Sequence, residues 1–263
     1  MLHTILNFLV SLFSALSRAA DASTSDPVST VDTQSAAPPG WEGAPPYRYI
    51  DVSRYQGEIN WAEVATAGYK GAMLKTVSTN RKLSKRADGL YIDPTFERNY
   101  AGARAAGLDV GVYYYTYATS EAMADAELAL VRQAVYGKEL TMPLAVDVEE
   151  NKLKQMSTLD LTNLTAYALE QVEKMGFYAQ LYTYTSFAKA HLFVGGAALH
   201  PYDVWLADYT GKTPKVDFKY NAHQHTSKGS VPGISGNVDL NVTTLNYPSI
   251  IRKKGLTRLR EGK

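Results

Sequence analysis

Short apolar runs alternate along most of this chain with stretches of helical spacing. Candidate strands are Tyr49–Ser53, Gly71–Val77, Val110–Tyr117, Leu144–Val148, Tyr178–Tyr184, Val204–Ala207, Asn221–Thr226 and Val238–Asn241. Candidate helices lie between them. One covers Trp61–Ala67 and ends at Gly68; another is opened by Asp93-Pro94-Thr95-Phe96, with proline in the first turn, and runs to Gly107. A third covers Glu121–Tyr136 behind a Ser120 cap, and a fourth follows Ser157-Thr158 and ends at Gly176. Strands spaced by helices predict a parallel sheet, and this many units in one domain favour a closed α/β barrel, TIM-like but irregular, over an open sheet.

The pattern fails before Tyr47. Residues Ile5–Leu16 are almost wholly apolar but too short to span a bilayer as a helix. They fit a signal peptide with Ala20-Asp21-Ala22 as cleavage site, or, from the polar stripe Asn7, Ser11, Ser14 and Arg18, a membrane-associated helix. Both imply export or attachment to the cell envelope. Residues 21–46 are rich in Ser, Thr, Ala, Asp and Pro and read as a disordered linker. The predicted organisation is therefore an apolar segment (1–20), a linker (21–46), a barrel (47–247) and a basic tail (248–263). That tail carries Arg252, Lys253, Lys254, Arg258, Arg260 and Lys263 against Glu261, and reads either as a match for an anionic wall or membrane surface or as a frayed, solvated end.

Composition removes several function classes. A net charge of +1, with no basic-aromatic surface, gives no reason to expect a nucleic-acid partner. Cysteine is absent, which excludes disulfides and thiolate metal sites. The five histidines have no metal-ligand spacing, and no phosphate loop or serine-nucleophile turn is present, so neither metal nor cofactor is expected. Tyrosine is abundant, 19 against 7 Phe and 3 Trp, which suits a groove that stacks on and hydrogen-bonds a polar ring.

The acids locate the chemistry. Asp147 and Glu149 sit two residues apart at the end of Leu144–Val148, so both leave one face, about 6.5 Å apart. Carboxyls that close raise and separate one another's pKa values, so that one can donate a proton while the other stays charged. Asp51 and Asp239 end two further strands, on the rim where barrel enzymes place working groups. Tyr113, Tyr115, Tyr117, Tyr182 and Tyr184 end neighbouring strands. Carboxylates among aromatic platforms are what glycoside cleavage needs.

Several segments together resemble family 25 glycoside hydrolases, the muramidase-type lysozymes. They are Asp51-Val52-Ser53-Arg54-Tyr55-Gln56-Gly57 with Ile59-Asn60-Trp61, Pro143 to Glu149, Val204-Trp205-Leu206-Ala207-Asp208-Tyr209, and Gly233 to Asn241. The similarity covers about Tyr47 to Asn246 in the family's order. It implies cleavage of the β-1,4 bond between N-acetylmuramic acid and N-acetylglucosamine in peptidoglycan, by a secreted, envelope-associated or phage-encoded enzyme. Glu149 would be the general acid/base and Asp147 would assist the substrate's acetamido group. Asp51 and Asp239 would support them, with Trp205, Asp208 and Gln224 joining the tyrosines in substrate binding. The carboxylate spacing itself leaves the stereochemistry open.

Two segments depart from the family pattern. His223-Gln224-His225 replaces the aromatic pair usual around that glutamine, and a basic insert, Arg81 to Arg86, follows the second strand. Both are expected near the rim and would bear on subsite preference. No cell-wall repeat module is expected after the barrel, and the chain is expected to act as a monomer. A carbohydrate-binding barrel without turnover and a chitinase-like, substrate-assisted hydrolase are the competing readings.

Overall fold

The computed structural model describes residues 47–260; the apolar segment 1–20 and the linker 21–46 lie outside the described residues. Eight strands close a barrel: β1 (Tyr47–Val52), β2 (Gly71–Lys75), β5 (Asp109–Tyr115), β6 (Leu144–Asp147), β7 (Ala179–Tyr184), β8 (Asp203–Ala207), β9 (Ala222–Gly229) and β10 (Val238–Thr243). Each matches a run expected from the sequence. A small hairpin, β3 (Val77–Thr79) with β4 (Leu90–Ile92), stands outside the ring. The helices are α1 (Trp61–Thr66), α2 (Phe96–Ala105), α3 (Glu121–Val135), α4 (Thr158–Lys174), α5 (Thr185–His191) and α6 (Tyr247–Lys254).

Side-chain parity builds two cores. Ile50, Val52, Leu74, Val110, Val112, Val146, Leu181 and Leu206 point outward into the layer under the helices. Their neighbours Tyr49, Met73, Ala145, Tyr182, Trp205 and Ala222 point inward and fill the lumen. A lumen this full needs glycine at Gly111, where an added Cβ would lie 2.5 Å from Met73 Sδ and 2.6 Å from the Pro143 carbonyl. Caps fix the helix starts: Ser157 Oγ accepts from the Asp160 amide at 3.1 Å, and Ser120 Oγ from Met123 at 3.4 Å. Pro94 falls just ahead of α2 and outside its first turn. Asp93 anchors that helix instead, accepting from the Thr95 amide at 2.9 Å and the Arg54 amide at 3.0 Å.

The structure corrects two expectations. The sheet is not wholly parallel: β10 runs antiparallel to both β9 and β1. The connection 230–237 carries no helix, so the chain turns back as a hairpin where a parallel strand would need a crossover. Residues 248–260 are also not a loose basic tail. Asn246 caps α6, and Tyr247 and Ile251 are fully buried in the lumen core, which they close from the end opposite the strand C-termini. Beyond α6, Phe177 bridges Thr257, and the Arg260 amide donates to the Met175 carbonyl at 2.8 Å. Burial of the apolar face holds the helix, and its cations stay on the outside.

Candidate active site

Inward positions toward the C-terminal ends of the parallel strands converge on one pocket of about 220 Å³, lined by Asp51, Lys75, Tyr113, Tyr115, Asp147, Glu149, Tyr182, Trp205, Tyr209, Gln224 and Asp239. Asp239 does not end its strand as expected but stands at the start of β10, which reaches the same rim because it runs antiparallel. All four predicted acids meet there. Asp147 is 3% exposed, and its Oδ1 has no hydrogen-bond partner among the described residues. Burial pushes its carboxyl well above the ordinary range and Glu149 adds to this, while the Lys75 ammonium pulls it back. Glu149 is raised by burial and by Asp239, again opposed by Lys75. Two shielded carboxyls this close bind a proton more tightly than either would alone.

Asp51 is held by a chain of side-chain amides. Its Oδ2 accepts from Gln224 Nε2 at 2.8 Å and from Asn241 Nδ2 at 2.8 Å. Gln224 Oε1 in turn accepts from the Tyr182 hydroxyl at 2.9 Å and from the Tyr209 hydroxyl, and Trp205 Nε1 donates to Asn241 Oδ1 at 2.8 Å. Each amide thus has its oxygen and nitrogen assigned by its partners. Burial and the nearby Asp239 raise the Asp51 carboxyl, while the two amide bonds favour its charged form. Asp239 itself is pushed up to about 6 by burial.

The other predicted contact residues divide. Tyr113, Tyr115, Tyr182 and Gln224 line the pocket as expected. Trp205 forms its floor: it is 1% exposed and sits edge-on to Tyr182, with ring centroids 4.6 Å apart. Tyr184 and Asp208 line an adjoining hollow of about 370 Å³, which shares Glu149, Tyr182 and Tyr209 with the pocket. Asp208 is committed to the fold there. Burial would raise its carboxyl, but hydrogen bonds from Thr210 and Thr185 hold it below the usual range. Tyr117 lies just past the end of β5, outside the pocket lining, with its ring 5.0 Å from Tyr115. His223 and His225 do not reach the pocket. They flank the inward Gln224 on β9 and so face outward, and His223 Nε2 lies 3.0 Å from the Asp208 carbonyl.

Sequence reasoning missed two lining residues. Lys75 ends β2 with its ammonium 4.9 Å from the Tyr115 ring and 5.7 Å from Tyr113. The signal was available: a lysine in register with the inward Met73, at the end of an apolar run. Tyr209 lies in a motif quoted above but after the end of its strand, so parity gave no clue to it. Among the described residues no cluster of His, Asp and Glu suits a metal ion.

The sequence profile of glycosyl hydrolases family 25 matches residues 50–234. Over 192 residues the chain is 30% identical to the autolytic lysozyme of Clostridium acetobutylicum, an alignment covering 73% of this chain and 54% of that protein. It is 29% identical to lysozyme M1 of Streptomyces globisporus over 205 residues, 73% of this chain and 66% of the relative. The chain thus spans about half the length of the first relative. In structure it resembles the bacterial lysozyme from Streptomyces coelicolor with a TM-score of 0.65, at 23% identity, over 81% of this chain and 99% of the other. At that identity the likeness speaks for the barrel alone.

Proposed function

The chain belongs to glycosyl hydrolases family 25, and from that membership we propose that it is a muramidase, hydrolysing the β-1,4 bond between N-acetylmuramic acid and N-acetylglucosamine in peptidoglycan. The observation that carries this reading is the meeting of Asp51, Asp147, Glu149 and Asp239 with Lys75 in one tyrosine-lined pocket.

Glu149 is the general acid/base and Asp147 the partner of the substrate's acetamido group. Burial favours a proton held on the Asp147–Glu149 pair in the free enzyme. An acetamido N–H reaching Asp147 Oδ1, which no donor among the described residues meets, favours the Asp147 anion and leaves the proton on Glu149. Glu149 then protonates the glycosidic oxygen as its bond to the anomeric carbon breaks. The acetamido oxygen attacks that carbon, and Asp147 stabilises the resulting oxazolinium ring. Water, deprotonated by Glu149, adds to the anomeric carbon and reopens the ring. Lys75 keeps a negative charge tolerable in the pair, and Asp51, fixed by Gln224 and Asn241, shapes the field around them.

The substrate places this enzyme's work at the cell envelope, after secretion, while envelope-bound, or as a phage lysis enzyme. Action as a monomer is part of this reading. Mass spectrometry of products from purified peptidoglycan tests the activity. Fragments ending in reducing N-acetylmuramic acid are expected. Fragments ending in reducing N-acetylglucosamine, or no fragments at all, would overturn it.

A further inference from the structure

The β3–β4 hairpin carries Arg81, Lys82, Lys85 and Arg86 within one short turn, all of them exposed. Arg86 is paired, its guanidinium 2.6 Å from Asp88. Arg81, Lys82 and Lys85 form no ion pair among the described residues. The turn does not need those three side chains for its shape. Asn80 Oδ1 accepts from the Lys82 amide at 2.9 Å, Ser84 Oγ from the Arg86 amide at 3.0 Å, and Asp88 Oδ1 from the Leu90 amide at 3.0 Å. Gly89 supplies the left-handed backbone at φ 80°. Three free cations on a self-supporting turn point outward to a partner.

The hairpin also adjoins the pocket. β3 starts two residues after Lys75, with Thr76 between them hydrogen-bonded through its amide to the Tyr113 carbonyl at 2.8 Å. Ser78 lies against the Tyr117 hydroxyl. The turn thus sits at the far end of a hairpin that starts beside the pocket, on its β2–β5 side.

We propose that Arg81, Lys82 and Lys85 form a docking strip for the free carboxylates of the peptide stems on the peptidoglycan strand being cut. This deepens the muramidase reading and rests on it. The two sugars at the cleaved bond are uncharged, whereas the peptide on the muramic lactyl group carries carboxylates that stand off the sugar ring. Phosphodiester polymers of the wall are anionic too, but they are joined to occasional sugars. A stem can stand beside every cleavable bond, so a cationic wall fixed to the pocket meets one at each cut. The strip raises local substrate concentration and sets register, as complementary charge does at other interfaces.

The test compares the full-length protein with its Arg81→Ser/Lys82→Ser/Lys85→Ser variant on three soluble substrates, all first freed of phosphodiester polymers. These are glycan with intact stems, the same glycan with stem carboxylates amidated, and glycan stripped of stems by an amidase with the lactyl carboxylates so released then amidated. With intact stems at low salt, kcat/KM should fall roughly tenfold in the variant, the sum of three exposed pairs. The other two substrates should be cut at equal rates by both proteins. At about 1 M salt, where the screening length is about 3 Å, the difference on intact stems should vanish. Lys85→Glu alone, which reverses one exposed charge without touching the turn's hydrogen bonds, should show the same selective loss. Equal rates on intact stems, or an equal loss on stripped glycan, overturn the proposal. A fourth arm uses wall fragments that keep their phosphodiester polymers; a loss seen only there also overturns the proposal and would assign the strip to those polymers. If the wild type cuts none of the glycans, the muramidase reading fails; if it cuts them all and the variant is indistinguishable, only the strip does.

Discussion

Asp51 and Asp239 are paired in register across β1 and β10, two acids directly opposite on antiparallel strands. Like charges at such positions repel, and sheets ordinarily avoid them. Here the pair is tolerated because Gln224 and Asn241 each donate to Asp51 and because Asp239 is pushed up to about 6. The arrangement exists because β10 returns antiparallel to β1, bringing the start of the last strand beside the end of the first.

The consequence for stability has a definite sign. Asp51, Asp147, Glu149, Asp239 (to about 6) and Glu127 (to about 7) all have native carboxyls raised above their ordinary values, with burial the largest cause. The native state thus holds protons that the unfolded chain releases. The stability they add is present below the unfolded values and is lost as pH rises through the native ones. Tm should fall between about pH 5 and about pH 8, and Asp239→Asn should flatten the part of that fall near pH 6. A Tm that climbs across this window would contradict the assignment.

Glu149→Gln should cost roughly 10²- to 10⁴-fold in cleavage rate with an unchanged melting curve. Asp147→Asn should be similarly damaging, and Asp51→Asn or Asp239→Asn less so. Turnover of peptidoglycan fragments by Glu149→Gln within tenfold of wild type would remove Glu149 from its role.

Lys75 opposes the raised pKa of both Asp147 and Glu149. Lys75→Met should therefore move the acidic limb of the kcat/KM profile to higher pH, by roughly one unit. The sign follows from losing a cation that favours the charged carboxylate. A profile that keeps its limb while falling uniformly would make Lys75 a packing residue only.

Glu127 on α3 is buried and accepts from Thr116 Oγ1 at 2.6 Å and the Tyr117 amide at 2.8 Å, fixing the turn that carries Tyr115 and Tyr117. Glu127→Gln keeps one acceptor but sets an amide NH2 against the other donor, and should cost about 1–3 kcal/mol of stability. Through the displaced tyrosines KM should rise more than kcat falls. Denaturant titration and steady-state kinetics on soluble glycan check both; equal stability with altered kinetics would place Glu127 nearer the chemistry.

If the acetamido group is the nucleophile, chemically de-N-acetylated peptidoglycan should still bind but be cut far more slowly. Rates on the two substrates, with product anomers read by NMR, decide the route. Equal rates, or an initial product of inverted configuration, would return Asp147 to the role of general base.

The chain by itself determined the eight barrel strands and the acids at their ends, because burial on alternate faces imposes a two-residue period that local sequence records. Parity alone sends Asp147 and Glu149 to one side, and correctly applied it turns His223 and His225 away from Gln224. Tertiary structure decided the rest. The direction of β10, the plugging of the lumen by Tyr247 and Ile251, and the burial of Trp205 beneath the tyrosines all depend on which distant segments pair. Tyr209 joined the site only when the barrel closed, since it lies beyond β8 where parity gives no clue. The hydrogen bond that Thr185 donates to Asp208 likewise depends on segments that only the fold brings together. Periodicity reports which face a residue shows, but who stands opposite it is fixed by long-range pairing, and pKa values and hydrogen bonds follow from that.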